Sequence, residues 1–200
     1  HSNLGNTLRD LGRLEESEAS CRRAIEIDPD LAMAHSNLGN TLRDLGRHEE
    51  SEASCRRAIE IDPNFAIAQC NLGNALEELG RQDEAIASYQ KALAINPNFA
   101  MAHYNLGMLQ LSTSDFQNGW ENFNYRWLCD HLAPIYRKYD KPLWQGEAID
   151  GRRLLIWEEQ GVGDKIIFAS MIPDLIERGA DIMIECEKRL IPLFSRSFPA

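Results

Sequence analysis

The chain has 200 residues, 44% of them hydrophobic, with 31 acidic against 21 basic side chains, a formal charge of −10 and a pI near 5.0. This is enough apolar material for a core, and no run is long enough to cross a bilayer. An acidic surface has few cations to displace counterions from a phosphate backbone, which excludes nucleic acid as a general partner. The five cysteines show neither a CxxC pair nor a useful histidine spacing, so they read as free thiols in a cytoplasmic protein with no metal site.

Leu4, Leu38, Leu72 and Leu106 recur every 34 residues, each followed by a glycine: Gly5, Gly39, Gly73 and Gly107. The same register returns Gly12, Gly46 and Gly80, then Ala24, Ala58 and Ala92, then Pro29, Pro63 and Pro97. Small residues let two helices cross closely, and proline removes the amide that would continue the second helix. The period predicts stacked helical hairpins that share one core, because a single hairpin cannot bury its own apolar stripe. Residues 1–30 repeat as 35–64 with two changes, Leu14 to His48 and Asp30 to Asn64. Cys21 and Cys55 fall where the third repeat has Tyr89, which predicts a packing role. His35 and His103 share another repeat position, which predicts packing or groove lining before ligation. The stretches NLGNTLRDLGR, NLGNALEELGR, AIEIDP and ALAINP resemble the tetratricopeptide-repeat family, which implies a solenoid over residues 1–133.

Asn3, Asn37, Asn71 and Asn105 recur on the first helix of each repeat, with Asn6, Asn40 and Asn74 about one turn later. An amide both donates and accepts, so these asparagines are expected to form a ladder along the concave groove and to hold the backbone of a protein or peptide. The resembled solenoid of the O-linked N-acetylglucosamine transferases uses asparagine ladders in this way. Beside this ladder the sequence shows no lysine or arginine placed to clamp an acidic tail. The fourth repeat decays: Arg126 stands where alanine is expected, and Trp120, Phe123 and Trp127, spaced for one helix face, are expected to close the solenoid as core.

Residues 134–152, with Pro142, Trp144, Gly146 and Gly151, read as a docking linker. From 153 to 200 the pattern changes. Arg153 to Trp157 and Ala180 to Glu185 read as buried parallel strands around a helix from Lys165 to Arg178, with Pro173 as a local conflict. Glu159-Gln160-Gly161-Val162-Gly163-Asp164 forms a glycine turn from strand to helix, where backbone amides and a helix N-terminus can hold an anion. It lacks the third glycine of a dinucleotide fingerprint and the Gly-Lys-Ser/Thr of a triphosphate loop.

The run LLIWEEQGVGDKIIF, with its upstream Pro142-x-Trp144-x-Gly146-Glu147, resembles tetratricopeptide-repeat proteins of bacteria that carry a glycosyltransferase-like domain with two Rossmann-type lobes. The resemblance implies a mainly α fold, a solenoid followed by the start of an α/β Rossmann-like N-terminal lobe, in a chain cut at both ends. It implies that Asp164 is the catalytic base, that Gln160, Gly161 and Gly163 bind substrate, and that a sugar nucleotide is the donor, with no cofactor or metal. Asp164 reads equally as a helix cap. Ile167, Ser170 and Met171 depart from the family's polar cleft residues, which points to the alternative of a non-enzymatic interaction scaffold with a degenerate appendage.

Overall fold

A computed structural model describes residues 2–129, 139–144, 146–149, 151–157 and 162–198, with the backbone alone for 162–164. The chain divides into two compact units, His1–Ala133 and Pro134–Ala200.

The first unit is a series of helical hairpins stacked in sequence order: α1 (Ser2–Asp10) with α2 (Leu14–Ile27), α3 (Ala32–Asp44) with α4 (His48–Ile61), α5 (Ala66–Glu78) with α6 (Gln82–Ile95), and α7 (Ala100–Ser112) with α8 (Phe116–Phe123). Each of the first three hairpin turns is closed by a glycine in the left-handed region, Gly12, Gly46 and Gly80 at φ of 74°, 76° and 72°. In the first of them, the Gly12 N–H donates to the Arg9 carbonyl at 2.8 Å and the Arg13 N–H to the Leu8 carbonyl at 2.9 Å, which satisfies carbonyls the helix leaves open. The fourth repeat forces Ser114 into the same conformation, at φ 68°. The second helices end where Asp28, Asp62 and Asn96 accept the N–H two residues later, at 3.2, 3.0 and 3.2 Å, around the intervening proline.

Inside each hairpin the glycine row faces a side chain of the second helix. A Cβ on Gly39 would stand 2.5 Å from Cys55 Sγ, and one on Gly73 would stand 2.5 Å from Tyr89 Cε1. Cys21, Cys55 and Tyr89 are fully buried, so the cysteines are packing residues as their position predicts. Between hairpins, Leu38, Leu42, Leu72, Leu76, Leu106 and Leu109 fill the shared core. Burying each such side chain stabilises by about 1.5–3 kcal/mol. The second helices add another kind of tie: Arg47 bonds Glu18 at 2.8 Å and Arg81 bonds Glu52 at 2.7 Å, each reaching back one repeat.

The end of the array differs from the sequence expectation. α8 stops at Phe123 and continues as a tight 3-10 turn, Asn124–Leu128. Trp120 is 50% exposed, so it does not serve as core. The physical reason lies at Arg126, which occupies the position of the buried Ala24, Ala58 and Ala92. A guanidinium cannot enter that slot, and it stacks instead 4.3 Å above the Phe123 ring and 4.2 Å above that of Trp127.

In the second unit, β1 (Arg153–Ile156) pairs in parallel with β2 (Asp181–Ile184), in register from Arg153 opposite Asp181 to Ile156 opposite Ile184. The expected single helix is two, α9 (Val162–Ala169) and α10 (Ile172–Glu177). Pro173 sits in the first turn of α10, where a missing N–H leaves no helical bond unmade, and this removes the conflict seen in the sequence. Ile156, Ile182 and Ile184 pack on Ala169, Ile172, Leu190 and Phe194, the last from α11 (Ile191–Ser197). Leu155 and Met183 on the opposite face are 39% and 49% exposed. Among the described residues the sheet has two strands and one covered face, which falls short of the Rossmann-like lobe that the resemblance implies.

Candidate peptide-binding groove

The first helices of successive repeats lie side by side, and three of them, α3, α5 and α7, line a cavity of about 340 Å³. α3 contributes Arg43; α5 contributes Asn74, Glu77 and Glu78; α7 contributes Met101, Tyr104, Asn105 and Met108. Met101, Tyr104 and Met108 stand at i, i+3 and i+7, which places them on one helical face.

The expected ladder of seven asparagines is only partly realised. Asn37 Nδ2 donates to Ser2 Oγ at 3.0 Å and Asn71 Nδ2 to Ser36 Oγ at 3.0 Å, so both are ties between neighbouring repeats. Asn71 is 9% exposed. Their Nδ2 groups are spent inside the solenoid, as is that of Asn105, but neither Asn37 nor Asn71 lines this cavity. Asn3 and Asn6 are exposed on α1, and Asn40 holds a buried Oδ1 with no hydrogen-bond partner among the described residues. The structure brings together Asn74 and Asn105, whose side chains meet at 2.8 Å in the cavity wall.

That pair is oriented by the Tyr89 hydroxyl, 2.8 Å from Asn74 Oδ1 and 2.9 Å from Glu77 Oε2. Burial, followed by the Glu77 charge, raises the Tyr89 pKa above its ordinary value, so the phenol keeps its proton. With Asn74 Oδ1 accepting from Asn105 Nδ2, the Asn74 Nδ2 and the Asn105 Oδ1 are left over. If both amides are reversed, the leftover groups are one acceptor and one donor again. In either arrangement one amide donor and one amide acceptor of the pair have no hydrogen-bond partner among the described residues, and a peptide unit carries the complementary groups.

The charge around the cavity also departs from expectation. Arg43 is a cation beside the asparagines, yet it is held by its neighbour Asp44 at 2.6 Å. Glu77 and Glu78 stand exposed at the end of α5 with no ion pair among the described residues. Sequence reasoning missed Arg43, Glu77, Glu78, Met101, Tyr104 and Met108. For three of them the available signal was departure from the repeat: Met108 replaces Asn6, Asn40 and Asn74; Tyr104 replaces Ser2, Ser36 and Cys70; Glu77 replaces Arg9 and Arg43.

For the glycine turn, Gln160 and Gly161 lie outside the described residues. Gly163 and Asp164 belong to the first turn of α9, and the Asp164 side chain lies outside what is described. No group of three His, Cys, Asp or Glu able to hold a metal occurs among the described residues, and no helix there is long and apolar enough to cross a membrane.

Comparison with known proteins agrees with this architecture. An 87-residue stretch is 41% identical to Protein FlbA of Caulobacter vibrioides, covering 40% of this chain and 14% of that protein. The chain therefore spans a small part of the length of this relative. Among solved structures, the TTC0263 protein of Thermus thermophilus superposes with a TM-score of 0.61 at 18% identity, over 66% of this chain and 74% of that one. MamA follows with 0.55 at 23%, over 67% and 78%, and the first repeat domain of Spaghetti (RPAP3), bound to the HSP90 peptide SRMEEVD, with 0.53 at 20%, over 56% and 90%. These likenesses concern the fold. Tetratricopeptide-repeat family models match residues 1–63, 30–98 and 88–121, more than half of the 200 residues, and the chain belongs to the tetratricopeptide-repeat family.

Proposed function

We propose that the solenoid is a protein–protein interaction scaffold that holds an extended peptide across α3, α5 and α7. The observation that carries this is the Asn74–Asn105 pair in the wall of the cavity, with one donor and one acceptor left unused. A peptide main chain supplies the matching acceptor and donor whatever its side chains, so this contact gives affinity while the surrounding side chains give selection. The Spaghetti (RPAP3) neighbour, bound to an HSP90 peptide, supports a peptide occupant for a solenoid of this shape. To test it, random peptides are selected on the full chain, and binding is compared with the Asn74→Ala/Asn105→Ala variant at unchanged helical circular dichroism. Equal binding by both proteins ends the proposal.

A second reading concerns the other unit, and the parallel pairing of β1 with β2 favours it. In that reading the second unit is the start of the N-terminal lobe of a glycosyltransferase and forms half of the sugar-transfer cleft, Asp164 takes the proton of the acceptor hydroxyl, Gln160, Gly161 and Gly163 line the substrate, and a sugar nucleotide is the donor. Sugar-nucleotide turnover by the whole protein, unchanged in Asp164→Asn, would remove the proposed base.

A further inference from the structure

We infer that the groove selects a peptide carrying a lysine or arginine beside an apolar residue, and that it turns away acidic tails. This selection rests on the peptide-binding reading above and adds the chemistry of the occupant. It originates at one repeat position. In the first two repeats the first helix ends in Arg9-Asp10 and Arg43-Asp44, and each arginine is paired with its neighbouring aspartate, at 2.8 and 2.6 Å. Asp44 also has Arg9 Nε at 3.8 Å. That half of the groove is therefore neutralised within the protein.

The third repeat replaces the pair with Glu77-Glu78. Glu77 accepts the Tyr89 hydroxyl and Glu78 has no hydrogen bond among the described residues, and neither carboxylate has an ion-pair partner there at the edge of the cavity. Next to them the fourth repeat exchanges the polar side chains of earlier repeats for an apolar wall: Tyr104, half-buried, and Met108, 45% exposed, with Met101 one turn before. A long cationic side chain matches both features at once. Its methylene stem lies on Met101, Tyr104 and Met108, and its head reaches the two carboxylates and the face of the tyrosine ring. An acidic side chain at the same place meets Glu77 and Glu78, while Arg43, already satisfied by Asp44, offers it little. The chain's formal charge of −10 steers in the same direction.

The test begins with a phage-displayed library of random peptides panned on the full chain, followed by fluorescence anisotropy on the enriched sequences as labelled peptides. The expected enrichment is lysine or arginine next to leucine, methionine or an aromatic residue. Lys→Glu in the peptide should weaken binding by about tenfold or more, Lys→Gln by less, and the difference should shrink as salt rises. The acidic peptide MEEVD, which carries no lysine or arginine, should bind more weakly than any enriched sequence. In the protein, Glu78→Gln, which breaks no hydrogen bond among the described residues, should reduce the preference for the lysine over the glutamine peptide by about twofold or more, with Glu77 still charged. Lysine, glutamine and glutamate peptides binding alike, with binding still lost in Asn74→Ala/Asn105→Ala, would overturn the charge selection and leave the groove standing. Failure of any peptide to enrich, or binding indifferent to the asparagine pair, would overturn the peptide reading and the charge selection together.

Discussion

The hairpin turn that occurs four times, with glycine in three copies and serine in one, yields a prediction whose size follows from the backbone. Ser114 holds φ 68° where Gly12, Gly46 and Gly80 hold 72° to 76°. A residue with a Cβ in this region carries a penalty of about 1–2 kcal/mol. Replacing it with glycine removes the penalty and returns about 0.5–1 kcal/mol of unfolded-state entropy. The Ser114 side chain is exposed and makes no hydrogen bond among the described residues, so nothing else is lost. Ser114→Gly should therefore stabilise the protein by about 0.5–1 kcal/mol, which for a chain of this size raises the melting temperature by about 1–4 °C. The reciprocal change, Gly46→Ser, should lower it by a similar amount. Thermal melts followed at 222 nm measure both, and hydrogen exchange of the α8 amides shows whether the Ser114→Gly gain is local to the last hairpin. A Ser114→Gly protein that melts at or below the parent temperature would refute the claim that the fourth turn is strained.

Three further outcomes are expected. Gly107→Ala should destabilise by at least about 1–3 kcal/mol, and by more than Gly39→Ala. The reason is that the new Cβ at 107 meets the Phe123 backbone nitrogen at 2.5 Å, whereas at 39 it meets the Cys55 side chain; urea titrations decide. Burial pushes the Cys55 and Cys70 thiols up to about 12, and with both side chains enclosed, iodoacetamide at pH 8 should label the half-buried Cys186 first and these two only after unfolding, as read by mass spectrometry. For Glu18, burial raises the pKa, but bonds from Arg22 and Arg47 outweigh it and hold the carboxyl below its ordinary value. A depressed folded-state pKa means stability that is present above the unfolded value and lost as pH falls through the folded one. Acidification from pH 6 to 3 should thus lower the stability of the parent more than that of Glu18→Gln, and parallel slopes would deny the inter-repeat tie.

How far the sequence could be read depends on whether a residue repeats. The period of Leu4, Leu38, Leu72 and Leu106 names the hairpins and their core, because each repeat tests the same packing. The glycine and cysteine positions are equally legible, since Gly39 and Cys55 recur with the contact they make. The asparagines mislead for the opposite reason. Periodicity shows that Asn37 and Asn71 share a position, but whether an amide faces a groove or the serine of the preceding hairpin depends on the stacking offset, a property of three dimensions. Half of the cavity lining breaks the period, Tyr104, Met108, Glu77 and Glu78, and these read as decay until the helices are assembled. Pro173 was legible as a disturbance, though only the backbone shows that it begins a new helix and does not bend an old one.

The proposed hold of Asn74 and Asn105 on a peptide main chain between α5 and α7 is tested most directly by the affinity of one library-selected peptide for the parent protein and for Asn74→Ala/Asn105→Ala. Anisotropy measures it, beside matched melting curves. Two hydrogen bonds lost at about 1 kcal/mol each predict a loss of about 30-fold with helical content unchanged. Affinity within about twofold of the parent, in a variant that melts normally, would contradict the claim.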